Sequence, residues 1–273
     1  MSVKLSGRLV LVGAGKMGGA LLQGWLEQGV DPRRVVIFDP GPPEEVRALV
    51  AAHGIAHNPA MTDVADAEVV LLAVKPQMMG SVLPTIVPLG ASRPVFLSVA
   101  AGTTIATFER HLGAEAAIVR AMPNTPAAVG RGITVVCPNA RASETQITLC
   151  MELLAAVGDV ARVDDEALID AVTAVSGSGP AYVFLLAEAM AAAGTAVGLP
   201  EDLAARLARR TVAGAGELLH QSELPAATLR QNVTSPGGTT AAALKVLMAD
   251  GGLFDLMVRA VTAARDRSRE LAG

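Results

Sequence analysis

Two short segments of this chain have the glycine content and the position that an anion-binding site requires. Gly13, Gly15 and Gly18 follow a short apolar run and precede a predicted helix, and residues 235–240 (Ser-Pro-Gly-Gly-Thr-Thr) precede another. The first N–H groups of a helix have no partner within it, and the helix dipole adds partial positive charge there. Both segments could therefore hold a phosphate or a carboxylate. Taken alone, the second segment favours the simpler interpretation of an ordinary helix cap.

The first segment, residues 13–18 (Gly-Ala-Gly-Lys-Met-Gly), is a GxGxxG motif between a predicted strand and a predicted helix. In that context the glycines permit a tight turn and let the pyrophosphate of a dinucleotide approach the helix N-terminus. Asp39 ends the second predicted strand, where an acidic residue accepts hydrogen bonds from the adenosine ribose. Because a carboxylate would repel a 2′-phosphate, Asp39 favours NADH over NADPH, while a simple turn role for Asp39 stays open.

The residue types that usually catalyse alcohol oxidation are scarce. After the glycine-rich segment 176–180, where 3-hydroxy-acid dehydrogenases with a similar opening carry a catalytic lysine, no lysine follows until Lys245. The four histidines stand in predicted helix ends or loops without an acidic partner at a recognisable spacing. Reduction of a C=N bond needs less acid catalysis than reduction of a C=O bond, because a protonated imine is already electrophilic. The chain therefore predicts a cyclic imine carboxylate as substrate, with Thr240 or a water assisting the ring nitrogen.

Composition narrows the class of protein. The 273 residues suffice for two domains, and 51% hydrophobic with only 3% aromatic residues predicts a core of Ala, Val and Leu. A net charge of -4 without a basic block argues against nucleic acid as a partner, and Cys137 and Cys150 have no metal-binding spacing. The most apolar stretch, residues 171–187, is interrupted by Ser-Gly-Ser-Gly-Pro, so we expect no membrane span. The expected setting is cytoplasmic, with small molecules as partners.

The first part of the chain alternates strand-like and helix-like segments. Strands are predicted at residues 8–12, 35–38, 68–74, 94–99 and 117–121, and helices at residues 17–28, 43–53, 78–87 and 103–111. The strands are almost continuously apolar, as buried parallel strands are. This alternation predicts an α/β fold, with a Rossmann-type doubly wound parallel sheet in residues 1–162.

After about residue 162 the strand-like segments cease. Six helices are predicted instead, at residues 166–175, 181–196, 200–220, 226–231, 240–249 and 253–270, so that residues 163–273 form an all-helical second domain. The segment 181–196 is apolar on nearly every side, with Glu188 as its one charge. Such a helix must be buried deeply or against another subunit, which predicts a homo-oligomer.

Six motifs together make the chain similar to a known family. They are residues 13–18, 73–76 (Ala-Val-Lys-Pro), 98–102 (Ser-Val-Ala-Ala-Gly), 120–126 (Arg-Ala-Met-Pro-Asn-Thr-Pro), 175–182 and 233–240. On these motifs the chain resembles the pyrroline-5-carboxylate reductases over essentially its whole length. The resemblance implies reduction of 1-pyrroline-5-carboxylate to L-proline by NADPH or NADH, the last step of proline biosynthesis. It also implies a helical domain that dimerises by interlocking with its twin, sometimes in larger rings of dimers, so that the cofactor of one subunit meets the substrate loop of another.

The resemblance further implies which residues bind the ligands. Cofactor-binding residues would be Asn58 near the adenosine, Ala73, Val74, Lys75, Pro76, Ala100, Ala101 and Gly102 along the cofactor, and Met122, Pro123 and Asn124 beside the nicotinamide. They add to the cofactor-binding residues that the glycine motif and the end of the second strand already predict, Gly13, Gly15, Lys16, Met17, Gly18 and Asp39. The substrate would be bound by Ser178, Gly179, Gly238, Thr239 and Thr240, and Thr240 is the catalytic candidate.

The chain departs from the family pattern after the second strand. Many members have a neutral Ser or Thr turn there, whereas this chain has Phe38-Asp39-Pro40-Gly41, which favours NADH. Two alternatives stay open. One is a related oxidoreductase for another imine or a 3-hydroxy acid, and the other is an NAD(P)-binding redox sensor without catalysis.

Overall fold

One large sheet organises the first part of the chain in the computed structural model, which describes residues 3–272. Within that range the sheet has eight strands in the order β3-β2-β1-β4-β5-β6-β7-β8. The strands are β1 (Arg8–Val12), β2 (Val35–Phe38), β3 (Ala56–His57), β4 (Ala67–Leu72), β5 (Val95–Ser98), β6 (Ala117–Met122), β7 (Gly132–Pro138) and β8 (Gly158–Arg162). Neighbouring strands are parallel, except that β6 and β7 are antiparallel.

Six helices belong to the same part of the chain. They are α1 (Lys16–Glu27), α2 (Glu44–His53), α3 (Met79–Ile86), α4 (Ile105–Leu112), α5 (Glu144–Leu154) and α6 (Leu168–Val172). Two of them begin at side-chain caps: the Thr104 hydroxyl accepts the Thr107 N–H at α4, and Ser143 and Gln146 form a capping box at α5. Helix α1 begins after Gly15 and, like α2, α3 and α6, has no side-chain cap.

Strand β1 lies where the chain reverses its direction across the sheet. From β1 the chain continues to β2 and β3 on one side, and it then returns to β4 on the other side of β1. Ligands of open α/β sheets bind at the carboxyl ends of the strands that flank such a point. Because β1, β4, β5 and β6 run parallel, the residues that follow them all lie at this edge.

Each face of the sheet carries its own apolar layer. Along β1, Leu9 and Leu11 belong to one buried cluster, while Val10 and Val12 belong to the other. Trp25, fully buried in the first cluster, donates its indole N–H to a carbonyl of α5 at 2.8 Å. The strands are therefore buried on both faces, as their nearly continuous apolar sequences predict.

The five strands and four helices predicted for the first part are confirmed, with ends that differ by at most two residues. The prediction omits β3, β7, β8 and α5. Strand β7 returns antiparallel to β6 and so breaks the expected alternation, while α5 and β8 then extend the sheet as a further parallel crossover from β7.

The remaining helices form a second compact unit, residues 178–264, while residues 265–272 group with the first unit. Five helices follow α6: α7 (Gly179–Ala196), α8 (Glu201–Gln221), α9 (Ala226–Asn232), α10 (Thr239–Leu247) and α11 (Leu253–Ala272). All six helices predicted after residue 162 are thus present. The first of them is shorter than predicted and continues into a π-helical turn, Thr173–Gly177. The predicted domain boundary after residue 162 stays a prediction.

The second unit exposes an unusual amount of apolar surface in the single chain. No residue of α7 is buried, and its Phe184 and Leu185 side chains are 64% and 62% exposed. Leu218 of α8 and Leu256 and Val258 of α11 are more than half exposed as well. Exposed apolar side chains in this number mark an interaction surface.

One segment of the described residues, Leu168–Ala196, is long and apolar enough to cross a membrane by length and composition alone. The segment is not one regular helix, because the π-helical turn interrupts it. Helices α8 and α11, outside this segment, expose similar apolar side chains.

Both cysteines are free and buried. Burial raises the pKa of Cys137 to about 11 and that of Cys150 to about 12. Because the thiolate is the reactive form of cysteine, neither side chain is a candidate nucleophile near neutral pH.

Candidate active site

The glycine-rich turn after β1 has two tight positions and one open position. Gly13 has a left-handed φ of 89°, which glycine adopts without strain. A Cβ atom on Gly18 would lie 2.2 Å from the Gly13 carbonyl oxygen and 3.3 Å from the Ala73 Cβ atom. A Cβ atom on Gly15 would meet nothing within 4 Å. The turn is therefore closed towards the protein and open at Gly15, where a ligand can approach the backbone.

Free hydrogen-bond donors stand at the start of α1. Its N-cap, Gly15, offers no side chain, and its first turn contains no acidic residue. In the described chain the N–H groups of Lys16, Met17 and Gly18 have no protein acceptor. Three amides at the positive end of a helix form an anion cradle. The pyrophosphate of a nicotinamide dinucleotide fits these donors and the open position beside them.

The Asp39 carboxylate is fixed against this cradle by two backbone amides. Its Oδ2 atom accepts the Ala14 N–H at 2.6 Å, and its Oδ1 atom accepts the Gly41 N–H at 2.8 Å. Asn58, in a left-handed conformation, accepts the Asp39 N–H at 3.0 Å and donates to the Asp39 carbonyl at 2.8 Å. The structure thus brings Asp39 to the glycine turn. Asn58 holds the Asp39 backbone together with His57, whose Nε2 atom lies 2.9 Å from the same carbonyl oxygen.

The arginines near β2 are engaged away from this turn. Arg33 and Arg34 precede the amino end of β2, where Arg33 forms a forked pair with Asp31 and Arg34 donates to the Ser6 carbonyl at 2.7 Å. The hydrogen bonds from Arg33 hold the pKa of Asp31 below its usual value. Neither guanidinium lies at the carboxyl end of β2, where Asp39 stands.

The loops after β4 and β5 extend the same edge of the sheet. Ala73 donates its N–H to the Val12 carbonyl at 2.8 Å, and Val99 donates to Leu72 at 3.0 Å, so each loop starts in register with its neighbour. The predicted cofactor-binding residues of these loops follow directly: Ala73, Val74, Lys75 and Pro76 after β4, and Ala100, Ala101 and Gly102 after β5. The Lys75 side chain is exposed.

The turn after β6 is held by Asn124. Its Oδ1 atom accepts the Ile133 N–H at 3.0 Å, and its Nδ2 atom donates to the Ser176 hydroxyl at 3.3 Å. Met122 packs against Gly177 so closely that a Cβ atom there would lie 2.4 Å from the Met122 Cε atom. The predicted nicotinamide-bordering residues Met122, Pro123 and Asn124 therefore lie together with the π-helical turn.

An ion pair with a buried arginine, which the sequence analysis did not predict, joins β6 to the residues just before α6. Arg120, on β6, is 4% exposed, and its guanidinium donates to the Glu166 carboxylate at 2.6 Å. The same carboxylate oxygen accepts the N–H of Ile105, the first residue of α4, at 2.9 Å. The sequence signal for such a pair is one charged residue, Arg120, within an otherwise apolar strand, because a buried charge requires a partner.

The predicted substrate loop lies in the second unit. Like the turn before α1, it places a glycine at the start of a helix. Gly237 has a left-handed φ of 70°, and a Cβ atom on Gly238 would lie 2.4 Å from the Ser235 hydroxyl. Gly238 is the N-cap of α10 and has no side chain that could cap the helix. In the described chain the N–H groups of the next three residues, Thr239, Thr240 and Ala241, have no protein acceptor. These amides and two hydroxyls form a second anion cradle.

Ser178 and Gly179 stand at the start of α7 in the same unit. Ser178 is the N-cap residue of this helix, and its hydroxyl makes no capping hydrogen bond. Among the described residues, no group of three His, Cys, Asp or Glu side chains is placed to hold a metal. The chain thus presents amide and hydroxyl donors that can bind and orient two anionic molecules.

Two family models match the chain in its two parts. The model described as "Pyrroline-5-carboxylate reductase dimerisation" matches residues 166–271, and the model described as "NADP oxidoreductase coenzyme F420-dependent" matches residues 8–102. The first covers the exposed apolar helices, and the second covers the glycine turn with the loops after β2, β4 and β5.

Curated relatives and solved structures match nearly the whole chain. A pyrroline-5-carboxylate reductase of Pseudomonas aeruginosa is 44% identical over 97% of each chain, and one of Glycine max is 38% identical over 97% of this chain and 96% of its own. The structure of such a reductase from Coxiella burnetii has a TM-score of 0.91 at 35% identity and covers 98% of this chain and 100% of its own. A Plasmodium falciparum pyrroline carboxylate reductase, solved with NADP bound, has a TM-score of 0.79 at 29% identity over 98% of this chain and 99% of its own.

Proposed function

The chain belongs to the pyrroline-5-carboxylate reductase family of NAD(P)-dependent oxidoreductases, and we propose that it reduces 1-pyrroline-5-carboxylate to L-proline. The observation that carries this proposal is the start of α10, where Gly238 leaves three amides free beside the hydroxyls of Thr239 and Thr240. A carboxylate suits these donors, and this substrate carries one next to its C=N bond. The free amides at the start of α1, which can hold a dinucleotide, support the binding of a nicotinamide cofactor.

In this proposal the residues of α10 bind and orient the substrate. Its amides hold the carboxylate, while the Thr240 hydroxyl hydrogen-bonds the ring nitrogen. Fixing a small ring at both groups presents one face of the C=N bond in a defined position, which lowers the entropic part of the barrier. Ser178 and Gly179 contribute further polar contacts. A bound nicotinamide cofactor supplies the hydride.

The amide and hydroxyl donors at the start of α10 also fit an imine better than a ketone. A ketone accumulates negative charge on oxygen as it is reduced and needs a strong acid to protonate it, whereas a protonated imine loses its charge. A threonine hydroxyl and helix amides can orient an imine without a dedicated proton donor. The chemistry of α10 therefore supports an imine as the substrate class.

The exposed apolar helices of the second unit provide a surface through which subunits can associate. The chain forms a homo-oligomer, as its dimerisation model indicates, and we propose that this is a homodimer or a larger assembly of dimers. Burial of side chains such as Phe184, Leu185 and Leu256 in the subunit interface stabilises it by about 1.5–3 kcal/mol for each fully buried side chain. We further propose a cytoplasmic location, where the nicotinamide cofactors are available.

The substrate assignment is tested by oxidation of NADH and NADPH, followed at 340 nm, with a panel of cyclic imino acids and 3-hydroxy acids. We expect turnover with 1-pyrroline-5-carboxylate at neutral pH and a much lower kcat/KM for six-membered imines. Formation of L-proline is confirmed by chromatography. Turnover of a hydroxy acid in preference to the imine would indicate a different oxidoreductase, and cofactor binding without any turnover would indicate a redox sensor.

We propose that Asp39 selects NADH. Its carboxylate is fixed at the turn, and Arg47, the cation nearest to it in the following sequence, already pairs with Glu44 and donates to the Pro42 carbonyl at 3.1 Å. Asp39→Ser removes the charge that would face a 2′-phosphate. We expect the ratio of kcat/KM for NADPH to that for NADH to rise about tenfold, which corresponds to roughly 1.4 kcal/mol.

The ratio is the informative quantity, because loss of the bonds to Ala14 and Gly41 will weaken both cofactors together. Asp159→Ser makes the same change in charge at an exposed position on β8, at the other end of the sheet, and should leave the ratio as it is. An unchanged ratio in Asp39→Ser would remove Asp39 as the selector.

A further inference from the structure

Ser176 carries a half-buried hydroxyl beside Asn124, one of the residues expected to border the nicotinamide, and the proposed function gives it no role. It lies in the π-helical turn Thr173–Gly177, where α6 does not continue as a regular helix. Such turns occur mostly at functional sites, because they displace side chains that a regular helix would place elsewhere. The next residue, Gly177, packs against Met122, so the turn is held at the end of β6.

The hydrogen bonds of Asn124 decide how the Ser176 hydroxyl can act. The Ile133 N–H can only donate, so the Asn124 atom that faces it at 3.0 Å must be the carbonyl oxygen. The amide nitrogen of Asn124 therefore faces Ser176, and it donates to the Ser176 Oγ atom at 3.3 Å. Because Oγ accepts this bond, the Ser176 hydrogen is left to be donated in another direction.

No protein acceptor takes that hydrogen within the described residues, since the bond from Asn124 is the one hydrogen bond there that involves the Ser176 hydroxyl. The hydroxyl is thus an oriented donor beside Met122 and Asn124, the residues that border the expected position of the nicotinamide. A nicotinamide carries an acceptor of the matching kind, the carbonyl oxygen of its carboxamide. This group is bonded directly to the ring that carries the hydride, so a hydrogen bond to it would fix the orientation of the ring.

We propose that the Ser176 hydroxyl donates a hydrogen bond to the carboxamide of the bound nicotinamide, and that Asn124 orients this hydroxyl. Ser176 is then a cofactor-binding residue, and Asn124 is a positioning residue that acts through it. The proposal rests on the proposed function only for the presence of a nicotinamide cofactor.

Calorimetric titration with NADH and with ADP-ribose tests the proposal, because ADP-ribose occupies the α1 cradle but has no nicotinamide. In Ser176→Ala we expect the Kd for NADH to rise about three- to tenfold, the worth of one neutral hydrogen bond, while the Kd for ADP-ribose stays the same. Ser176→Thr retains the hydroxyl and should restore NADH binding. Ser81→Ala, the same change at an exposed position on α3, should bind both ligands normally.

Three results would overturn the proposal. Equal weakening of NADH and ADP-ribose would mean that Ser176 only supports the shape of the site, and an unchanged Kd for NADH would mean that no contact exists. In separate steady-state kinetics, an increase in the KM for the imino acid with an unchanged Kd for NADH would assign the hydroxyl to the substrate. Since the titrations contain no imino acid, they succeed or fail independently of the substrate assignment.

Discussion

The Glu166→Ala variant is expected to be less stable than the parent protein by about 3–5 kcal/mol in free energy of unfolding. The variant leaves Arg120, whose side chain is 5% exposed, with a charge that has lost its partner and has little access to water. It also removes the acceptor of the Ile105 N–H at the start of α4. Urea unfolding, followed by the fluorescence of Trp25, the single tryptophan of the chain, measures the change. Protein concentration must be fixed, because subunit association adds to stability.

Loss of Arg120 and loss of Glu166 should lower the free energy of unfolding by different amounts. Arg120→Met removes the buried charge itself and leaves a carboxylate whose side chain is 30% exposed and still accepts the Ile105 N–H, so the loss should be smaller than in Glu166→Ala. The double variant should be more stable than Glu166→Ala alone, since it contains no unpaired buried guanidinium. Equal losses in both single variants would contradict the dominant role of the buried charge.

Thr240→Ala is expected to lower kcat/KM for the imino acid by about ten- to a hundredfold, because a hydrogen bond to a charged group contributes roughly 1.5–3 kcal/mol. The amides of α10 remain in this variant, so the carboxylate should still be bound while the ring nitrogen loses its partner. We therefore expect the larger change in kcat. Steady-state kinetics at saturating NADH measures both parameters.

Two further variants show whether the hydroxyl itself is responsible. Thr240→Ser retains the hydroxyl and should retain most of the activity. Thr85→Ala makes the same substitution as Thr240→Ala at an exposed position on α3 and should behave as the parent protein. Parental kinetics in Thr240→Ala would exclude the proposed contact to the ring nitrogen.

The elements that place the site follow from local sequence. Strands β1 and β4 are predictable because continuous apolar runs have one stable location, the middle of a sheet covered on both faces. The glycine turn is predictable because Gly13 and Gly18 occupy positions where any side chain would be strained or would collide with the backbone. Local patterns of this kind need no knowledge of distant residues.

The contacts that tune the site depend on partners far away in sequence. Asp39 reaches Ala14 across 25 residues, Arg120 reaches Glu166 across 46, and Asn124 reaches Ser176 across 52. Each pairing requires the register of the sheet, and β7 enters that register in the antiparallel sense that the alternation of strands and helices does not predict. A single sequence shows that Arg120 needs a partner but not which carboxylate provides it.

Both anion cradles are built from the peptide backbone, since α1 and α10 each begin on a glycine without a side-chain cap. Peptide amides do not titrate in the pH range in which proteins are folded, unlike the lysine or histidine side chains that hold anions in many enzymes. The contribution of these amides to holding an anion is therefore set by the ionisation of the ligands and not by that of the protein. An enzyme built in this way can retain its ligands when the pH of its compartment changes, and its acid and alkaline limits then belong to the chemistry of the imine.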